Sequence, residues 1–185
     1  MRTDAFLQAA MDRWGDSVYR LALCQLGSEA DAEDVFQDVF LRLLQDETAF
    51  HSDEHLKAWL LRVTLNRCHD LHRSAWRRRT QTLDDSLRAA DPDPAEDGAL
   101  RACEVREAVE ALPPKLSAVI HLYYEEGYSV EEVAQLLSCR PATVRTRMHR
   151  ARKRLKELLE GGNGDDPSGF PVAVGTYSRA GIAEK

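Results

Sequence analysis

A predicted helix from about His55 to Arg78 places basic, amide and imidazole side chains at helical spacing. Five of them step along the chain by four, three, four and four positions, which puts them on one face. The five residues of this face are Arg62, Asn66, His69, Arg73 and Arg77. Trp59 lies near the same face, and Phe50 precedes the helix. Basic and amide donors beside aromatic rings are the side chains that bind nucleic acid with unstacked bases.

A second constellation lies at 129–155, where a short helix, a three-residue turn and a long basic helix predict a helix-turn-helix. Apolar residues at steps of three and four predict the buried side of the long helix: Val144, Met148, Ala151, Leu155 and Leu158. The other side is basic and polar, as a groove-reading helix requires. Ser129 begins the short helix, whose free N–H groups could hold a phosphate. The predicted DNA contacts are Ser129, Arg140, Arg145, Thr146, Arg147, His149, Arg150 and Lys153.

Both constellations also have a plainer interpretation. Runs of charge are often solvated faces of bundle helices, and Trp59 and Trp76 could be core residues. The block 140–156 holds eight basic residues and no acidic one, which favours DNA binding there. For the face between Arg62 and Arg77, the residue types alone leave both interpretations open.

The charge of the chain is segregated along the sequence. The formal net charge is −6, which for the chain as a whole disfavours nucleic acid. Residues 57–79, however, hold seven basic residues and one acidic residue, and residues 140–160 hold eight and two, so each block carries +6. Two positive blocks in acidic surroundings indicate a chain that contacts a polyanion at two places.

The elements that must position these residues are helices. Apolar residues recur at helical spacing over about Asp4–Leu26 and again after Ser28, a predicted N-cap. Val35, Val39 and Leu43 lie on one stripe of that second helix. No alternating strand pattern of useful length occurs in the first 160 residues. The sequence therefore predicts an all-α fold.

These helices are expected to form two small domains. The segment between them is acidic and contains prolines and a glycine, which predicts a flexible linker. The predicted boundaries are 4–79 for the N-terminal domain, 80–104 for the linker, 105–160 for the C-terminal domain and 161–185 for a tail. The tail is expected to be disordered, and its apolar residues leave docking on a domain open as the alternative.

Three stretches, in this order, resemble the extracytoplasmic-function group of bacterial RNA polymerase sigma factors, in the sigma-70 family. The polymerase-binding helix of that family resembles AEDVFQDVFLRLL at 32–44. Its promoter-melting segment resembles HLKAWLLRVTLNRCHDLHR at 55–73, and its final helix-turn-helix domain resembles 112–155. The chain departs from the pattern at Ser117, where arginine is common, and at Ala142, where glycine is common.

The resemblance implies two sigma-factor domains, region 2 and region 4, and two partners, core RNA polymerase and promoter DNA. Contact with the polymerase beta-prime clamp helices is implied for Asp34, Gln37, Asp38, Phe40 and Arg42. Recognition and melting of the minus-ten element is implied for Phe50, Trp59, Arg62, Asn66, His69, Arg73 and Arg77. The helix-turn-helix contacts named above would read the minus-thirty-five element. The beta flap of polymerase and an anti-sigma factor are further implied partners.

Two other classes of function compete with this interpretation. A stand-alone helix-turn-helix regulator would bind DNA without polymerase, although an all-helical N-terminal half is unlike a response-regulator receiver. An enzyme is not expected, because the sequence has no P-loop, GxGxxG, GxSxG or HExxH motif. No catalytic residue, cofactor or metal site is predicted, and the four cysteines form no CxxC pair. No apolar run approaches the about 20 residues that span a bilayer, so a cytoplasmic protein without membrane insertion is expected.

Overall fold

The computed structural model describes residues 3–79 and 97–160. Within these ranges the chain forms seven α-helices, one π-helical segment and no strand, which confirms the predicted all-α fold. The N-terminal half comprises α1 (Asp4–Leu26), α2 (Glu29–Gln45) and α3 (Asp53–Arg79). The C-terminal half comprises α4 (Asp97–Glu110), α5 (Pro114–Ile120), the π segment (His121–Glu125), α6 (Val130–Leu136) and α7 (Pro141–Glu160).

The turn between α1 and α2 follows local signals in the sequence. Gly27 adopts φ 61°, and its N–H donates to the carbonyl of Leu23 at 2.7 Å. This left-handed conformation costs glycine little because it has no Cβ. Ser28 then accepts a hydrogen bond from the N–H of Asp31 at 3.4 Å. The predicted cap at Ser28 is therefore confirmed, and α1 has the predicted bounds.

Helix α4 begins earlier than the sequence pattern indicates. It starts at Asp97, so residues 97–104, predicted as part of the linker, are helical. Alanine has the highest intrinsic helix propensity, and the sequence has alanine at 99 and 102. The rest of the predicted linker, 80–96, and the predicted tail, 161–185, lie outside the described residues.

In each half, apolar side chains of its own helices pack together into a cluster. In the N-terminal half α1, α2 and α3 bury the predicted stripe of α2, and Val35, Val39 and Leu43 have no exposed surface. In the C-terminal half α4, α5 and α7 bury a second cluster around Ala151 and Leu155. The helices that carry the predicted contact residues are α2, α3 and α7, and these clusters hold them in place.

A third apolar cluster joins the two halves. Leu21 of α1 and Leu61 of α3 are fully buried against Val119, Leu122 and Val133 of the C-terminal half. Full burial of one such leucine or valine is worth about 1.5–3 kcal/mol. The two halves therefore share a core, which the predicted division into two linked domains did not include.

Candidate nucleic-acid and protein surfaces

Helix α7 has the two faces that its sequence predicts. Val144, Met148, Ala151 and Leu155 are buried against the rest of the C-terminal half. Five predicted contacts from the preceding turn and the opposite face are exposed: Arg140, Arg145, Thr146, His149 and Lys153. Arg150 is also exposed, and Arg147 is half-buried. The helix thus presents a basic surface while an apolar stripe attaches it to the domain.

The apolar stripe of α7 ends differently from the prediction. Leu158, predicted to be buried, is 39% exposed, so that assignment was wrong. Leu159 takes the inward position and packs against the cluster that contains Leu155. At the last turn of the helix both positions, three and four after Leu155, are near the inner face, and packing selects one of them.

The start of the helix-turn-helix is closed by a capping box. Ser129 accepts a hydrogen bond from the N–H of Glu132 at 3.3 Å, and the carboxylate of Glu132 accepts one from the N–H of Ser129 at 2.8 Å. These bonds lower the pKa of Glu132. The prediction of free N–H groups for a phosphate is corrected here, because Ser129 serves as a cap and a carboxylate already occupies this terminus.

Two arginines of α7 are paired with residues that precede this helix in the C-terminal half. Arg145 donates to the carboxylate of Glu131 at 2.9 Å, and both side chains are largely exposed. Arg152 donates to the hydroxyl of Tyr124 through Nε at 3.0 Å and Nη2 at 2.8 Å. Such exposed pairs are worth about 0–1 kcal/mol, so a stronger acceptor such as a phosphate or a guanine edge can replace them.

The basic face of α3 is also exposed as predicted. Arg62, Asn66, His69 and Arg73 lie on the outer side, opposite the buried side chains of Leu60, Thr64 and Cys68. Arg62 is engaged by the other half, since it donates to the carbonyl of Gln135 in α6 at 3.1 Å. The side chains of Arg77 and Trp76 lie outside the described residues.

The aromatic residues near this face are partly core residues. Trp59 and Phe50 are half-buried and pack against the N-terminal core, with their ring centroids 5.8 Å apart at 71°. His55 stands edge-on to Phe50 at 5.4 Å. Each ring therefore has one side in the core and part of its surface open. Trp59 is in part a core residue, and its contact with DNA stays a prediction.

Helix α2 presents an exposed surface of charged, amide and apolar side chains. Asp34, Gln37 and Arg42 are exposed as predicted. Asp38 is partly covered, and its carboxylate lies 2.5 Å from Nε of Arg67 on α3. Asp38 therefore also joins two helices.

Phe40 was wrongly assigned to this surface. It is 4% exposed, and its ring centroid lies 4.8 Å from that of Phe36. The neighbouring Leu41, which the sequence interpretation missed, is 55% exposed. The spacing contained this signal, because Phe36 and Phe40 are four residues apart beside the buried stripe, whereas Leu41 falls outside it.

A buried ion pair lies where the two halves meet. The carboxylate of Glu126 is 2.7 Å from Nζ of Lys57 on α3, and both side chains are largely covered. Ser17 of α1 donates to Glu126 at 3.2 Å, and the ring of His121 lies 3.5 Å away. Lys57 also sits 5.1 Å from the ring centroid of Trp14, at a distance where a cation is attracted to an aromatic face. None of these residues was identified from the sequence.

The surroundings of Glu126 act on its pKa in opposite directions. Burial raises the pKa, but hydrogen bonds from His121 and Lys57 outweigh it and lower the pKa to about 2. The carboxylate is therefore ionised through the neutral range. Near it, burial and the charge of Glu126 raise the pKa of Tyr128.

Cys24, Cys68 and Cys139 are free. Burial raises the pKa of Cys24 to about 11 and that of Cys68 to about 12, so both are thiols at neutral pH. In the described part of the chain, no three histidine, cysteine or acidic side chains cluster as metal ligands. None of the described helices is both long and apolar enough to cross a membrane.

Comparison with known families matches both halves of the chain. Residues 10–78 match the family described as Sigma-70 region 2, and residues 104–155 match Sigma-70, region 4. The chain is 35% identical over 165 residues to the ECF RNA polymerase sigma factor SigE of Mycolicibacterium smegmatis, covering 82% of this chain and 63% of that relative. It is 32% identical to the ECF sigma factor SigM of Mycobacterium tuberculosis, covering 77% of this chain and 71% of SigM.

Two solved structures have similar folds. The sigma factor RpoE of Bartonella quintana, in complex with the anti-sigma factor NepR, superimposes with a TM-score of 0.72 at 26% identity, over 85% of this chain and 98% of RpoE. CnrH, in complex with the cytosolic domain of CnrY, gives a TM-score of 0.61 at 25% identity, over 86% of this chain and 90% of CnrH.

The buried ion pair predicts a specific pH dependence of stability. Because the pKa of Glu126 falls from 4.5 to about 2 on folding, its contribution is complete above about pH 4.5 and is lost toward pH 2. Glu126→Gln should therefore lower the urea midpoint at pH 6, and its deficit relative to the unmodified chain should shrink as the pH falls. Lys57, His121, Ser17 and Tyr128 face this group and are retained in the variant.

The matched control for this titration is Glu125→Gln, since Glu125 is exposed and adjacent. It should leave the urea midpoint nearly unchanged at both ends of the range. A deficit for Glu126→Gln that is constant from pH 6 to pH 3 would contradict the ion pair described here.

Proposed function

Because the chain belongs to the extracytoplasmic-function group of RNA polymerase sigma factors, in the sigma-70 family, we propose that it binds core RNA polymerase and directs it to specific promoters. The observation that carries the proposal is the presence of two separate basic surfaces, on α3 and α7, in the two matched regions. The protein would act as an initiation factor, with the chemistry of RNA synthesis supplied by polymerase.

Polymerase binding is proposed for the outer surface of α2. Asp34, Gln37 and Arg42 supply charge and amide groups around the exposed Leu41. An apolar side chain ringed by polar residues is typical of the centre of a protein interface. Leu41 takes the place that was first given to Phe40.

The minus-ten element is proposed to bind along α3. A base that leaves the duplex stack loses a few kcal/mol of stacking and pairing, which a pocket must supply. The partly open rings of Phe50 and Trp59 offer a stacking surface beside Asn66. Arg62, His69, Arg73 and Arg77 would hold the neighbouring backbone.

The minus-thirty-five element is proposed to bind α7 in the major groove. Arg145, Thr146, His149 and Lys153 face outward from a helix whose back is fixed in the core. Arginine in such a position can contact a guanine edge with two hydrogen bonds. Arg140 would join these residues in the groove, Arg147 and Arg150 would contact phosphates on either side, and Ser129 lies at the start of the motif.

An anti-sigma factor is proposed as a third partner. The relatives RpoE and CnrH are described in complex with NepR and with the cytosolic domain of CnrY, respectively. A protein that covers α2 and the basic surfaces of this chain would block both proposed interfaces. The beta flap of polymerase is proposed as the contact for the C-terminal half.

The test of function is transcription with purified components. The chain and core polymerase are incubated with fragments of the host genome, and the 5′ ends of the transcripts are sequenced. We expect discrete 5′ ends that need both components and share sequence elements about 10 and 35 positions upstream. Tight binding to duplex DNA without polymerase, together with no promoter-specific 5′ ends, would instead identify a stand-alone regulator.

Arg42→Ala is predicted to weaken binding to core polymerase by about 1 kcal/mol or more without changing helicity. Arg42 is exposed, so its truncation leaves the core intact. Retention of polymerase on the tagged chain gives the measurement. Arg20→Ala is the control, because Arg20 is an exposed arginine of α1 that lies 3.7 Å from Asp16 of its own helix. Equal retention by both variants would argue against the assigned surface.

Arg145→Ala is predicted to weaken binding of the polymerase complex to its promoter by about 1–3 kcal/mol, as expected for loss of a two-bond base contact. The loss should be confined to templates with the native minus-thirty-five element. Lys156→Ala removes a positive charge from the same helix, where Lys156 is 3.5 Å from Glu160, and serves as the control. An equal loss on all templates would assign Arg145 to phosphate contact.

A further inference from the structure

The α3 surface proposed to bind DNA contacts the helix-turn-helix in this structure. Arg62 of the α3 face is hydrogen-bonded to α6, the first helix of the helix-turn-helix, at 3.1 Å. If the proposed function holds, the two promoter elements are about 25 base pairs apart, or about 85 Å at about 3.4 Å per base pair. Helix α3, with 27 residues, spans only about 40 Å. Because the helix-turn-helix contacts α3 itself, the two surfaces lie much closer together than about 85 Å. In this closed arrangement they cannot both reach their elements on one promoter.

An apolar core and a polar cluster hold the chain in this closed arrangement. The apolar core is the cluster of Leu21 and Leu61 with the C-terminal half. The polar cluster includes the Gln25 amide, which lies 2.9 Å from the hydroxyl of Ser117, with both residues buried. The ion pair of Lys57 and Glu126 lies in the same region. This region, where the two halves meet, is called the junction below.

The π segment determines where Glu126 points. The N–H of Glu126 donates to the carbonyl of His121, five residues earlier, at 3.1 Å. In a regular α-helix, residues five apart lie about 140° apart around the axis. The wider turn brings both side chains to the same side, where His121 lies beside Glu126 and Glu126 meets Lys57 and Ser17. A π turn of this kind often marks a functional position.

The chemistry of the junction suits a contact that opens. An apolar interface that separates exposes its whole surface to water, whereas Lys57, Glu126, Ser17 and Arg62 recover hydration. By contrast, if one partner is removed and the junction stays closed, the remaining charge is buried and unpaired. Such a charge strongly disfavours the closed form. The ion pair therefore stabilises closure only while both members are present.

We propose that Glu126, presented by the π segment to Lys57, is a latch that keeps the free chain in a closed, self-inhibited conformation. Opening of this latch frees Arg62 and separates the α3 face from the helix-turn-helix. The proposal rests on the proposed function for the meaning of inhibition, although closure itself is independent of any partner. If only open molecules bind polymerase, the apparent affinity equals the affinity of the open form multiplied by the fraction of molecules that are open.

The experiment compares the full-length chain with Glu126→Gln, Lys57→Met and the control Glu125→Gln in the absence of partners. Small-angle X-ray scattering gives the radius of gyration, and amide exchange reports on peptides from α1, α3 and α6. We expect the first two variants to be larger and to exchange at the junction about tenfold faster or more. The control should match the unmodified chain, because Glu125 is exposed.

Circular dichroism distinguishes opening from unfolding, since opening preserves the helices of both halves. Lys57→Met keeps an apolar stem beside Trp14 and tests the latch from the other side. An unmodified chain that is already extended, or two variants as compact as the control, would overturn the latch.

Binding to core polymerase then tests inhibition. Glu126→Gln and Lys57→Met should bind several-fold more tightly than the unmodified chain and Glu125→Gln. Open variants with unchanged affinity would overturn self-inhibition. If no form binds polymerase while scattering shows opening, the proposed function fails and the conformational latch stands.

Discussion

The junction between the two halves depends on one buried carboxylate. Glu126 is covered by protein on several sides, and a carboxylate in such a place needs partners to remain ionised. Its partners come from α1 and α3 of the N-terminal half and from its own π segment. These contacts fix the orientation of α6 and α7 relative to α3. The apolar contact of Leu21 and Leu61 supports the same orientation.

This arrangement accounts for which polar surfaces are open in the free chain. The outer faces of α2 and α7 are exposed, whereas the α3 face is engaged at Arg62 by the carbonyl of Gln135. The net charge of −6 conceals this distribution. Acidic residues such as Glu131 and Glu126 neutralise individual cations, while most cations of the α7 face stay exposed.

Residue spacing predicted most of what one helix decides by itself. The bounds of α1, the cap at Ser28 and the buried stripe of α2 follow from periodicity and capping chemistry. Errors occurred where a residue lies at the edge of a stripe. Phe40 points inward and its neighbour Leu41 outward, whereas Leu158 points outward and its neighbour Leu159 inward. Only packing against another helix selects between the two members of each pair.

The helical class, the two basic surfaces and the family resemblance could all be predicted before the fold was known, because each is encoded in local spacing and residue type. Tertiary structure alone decided that the halves share a core, that Ser117 meets Gln25, and that Glu126 pairs with Lys57. These partners are far apart in the chain, and no periodicity connects them. The physical reason is that a buried polar group is specified by what surrounds it in space, which a linear pattern of residue types does not contain.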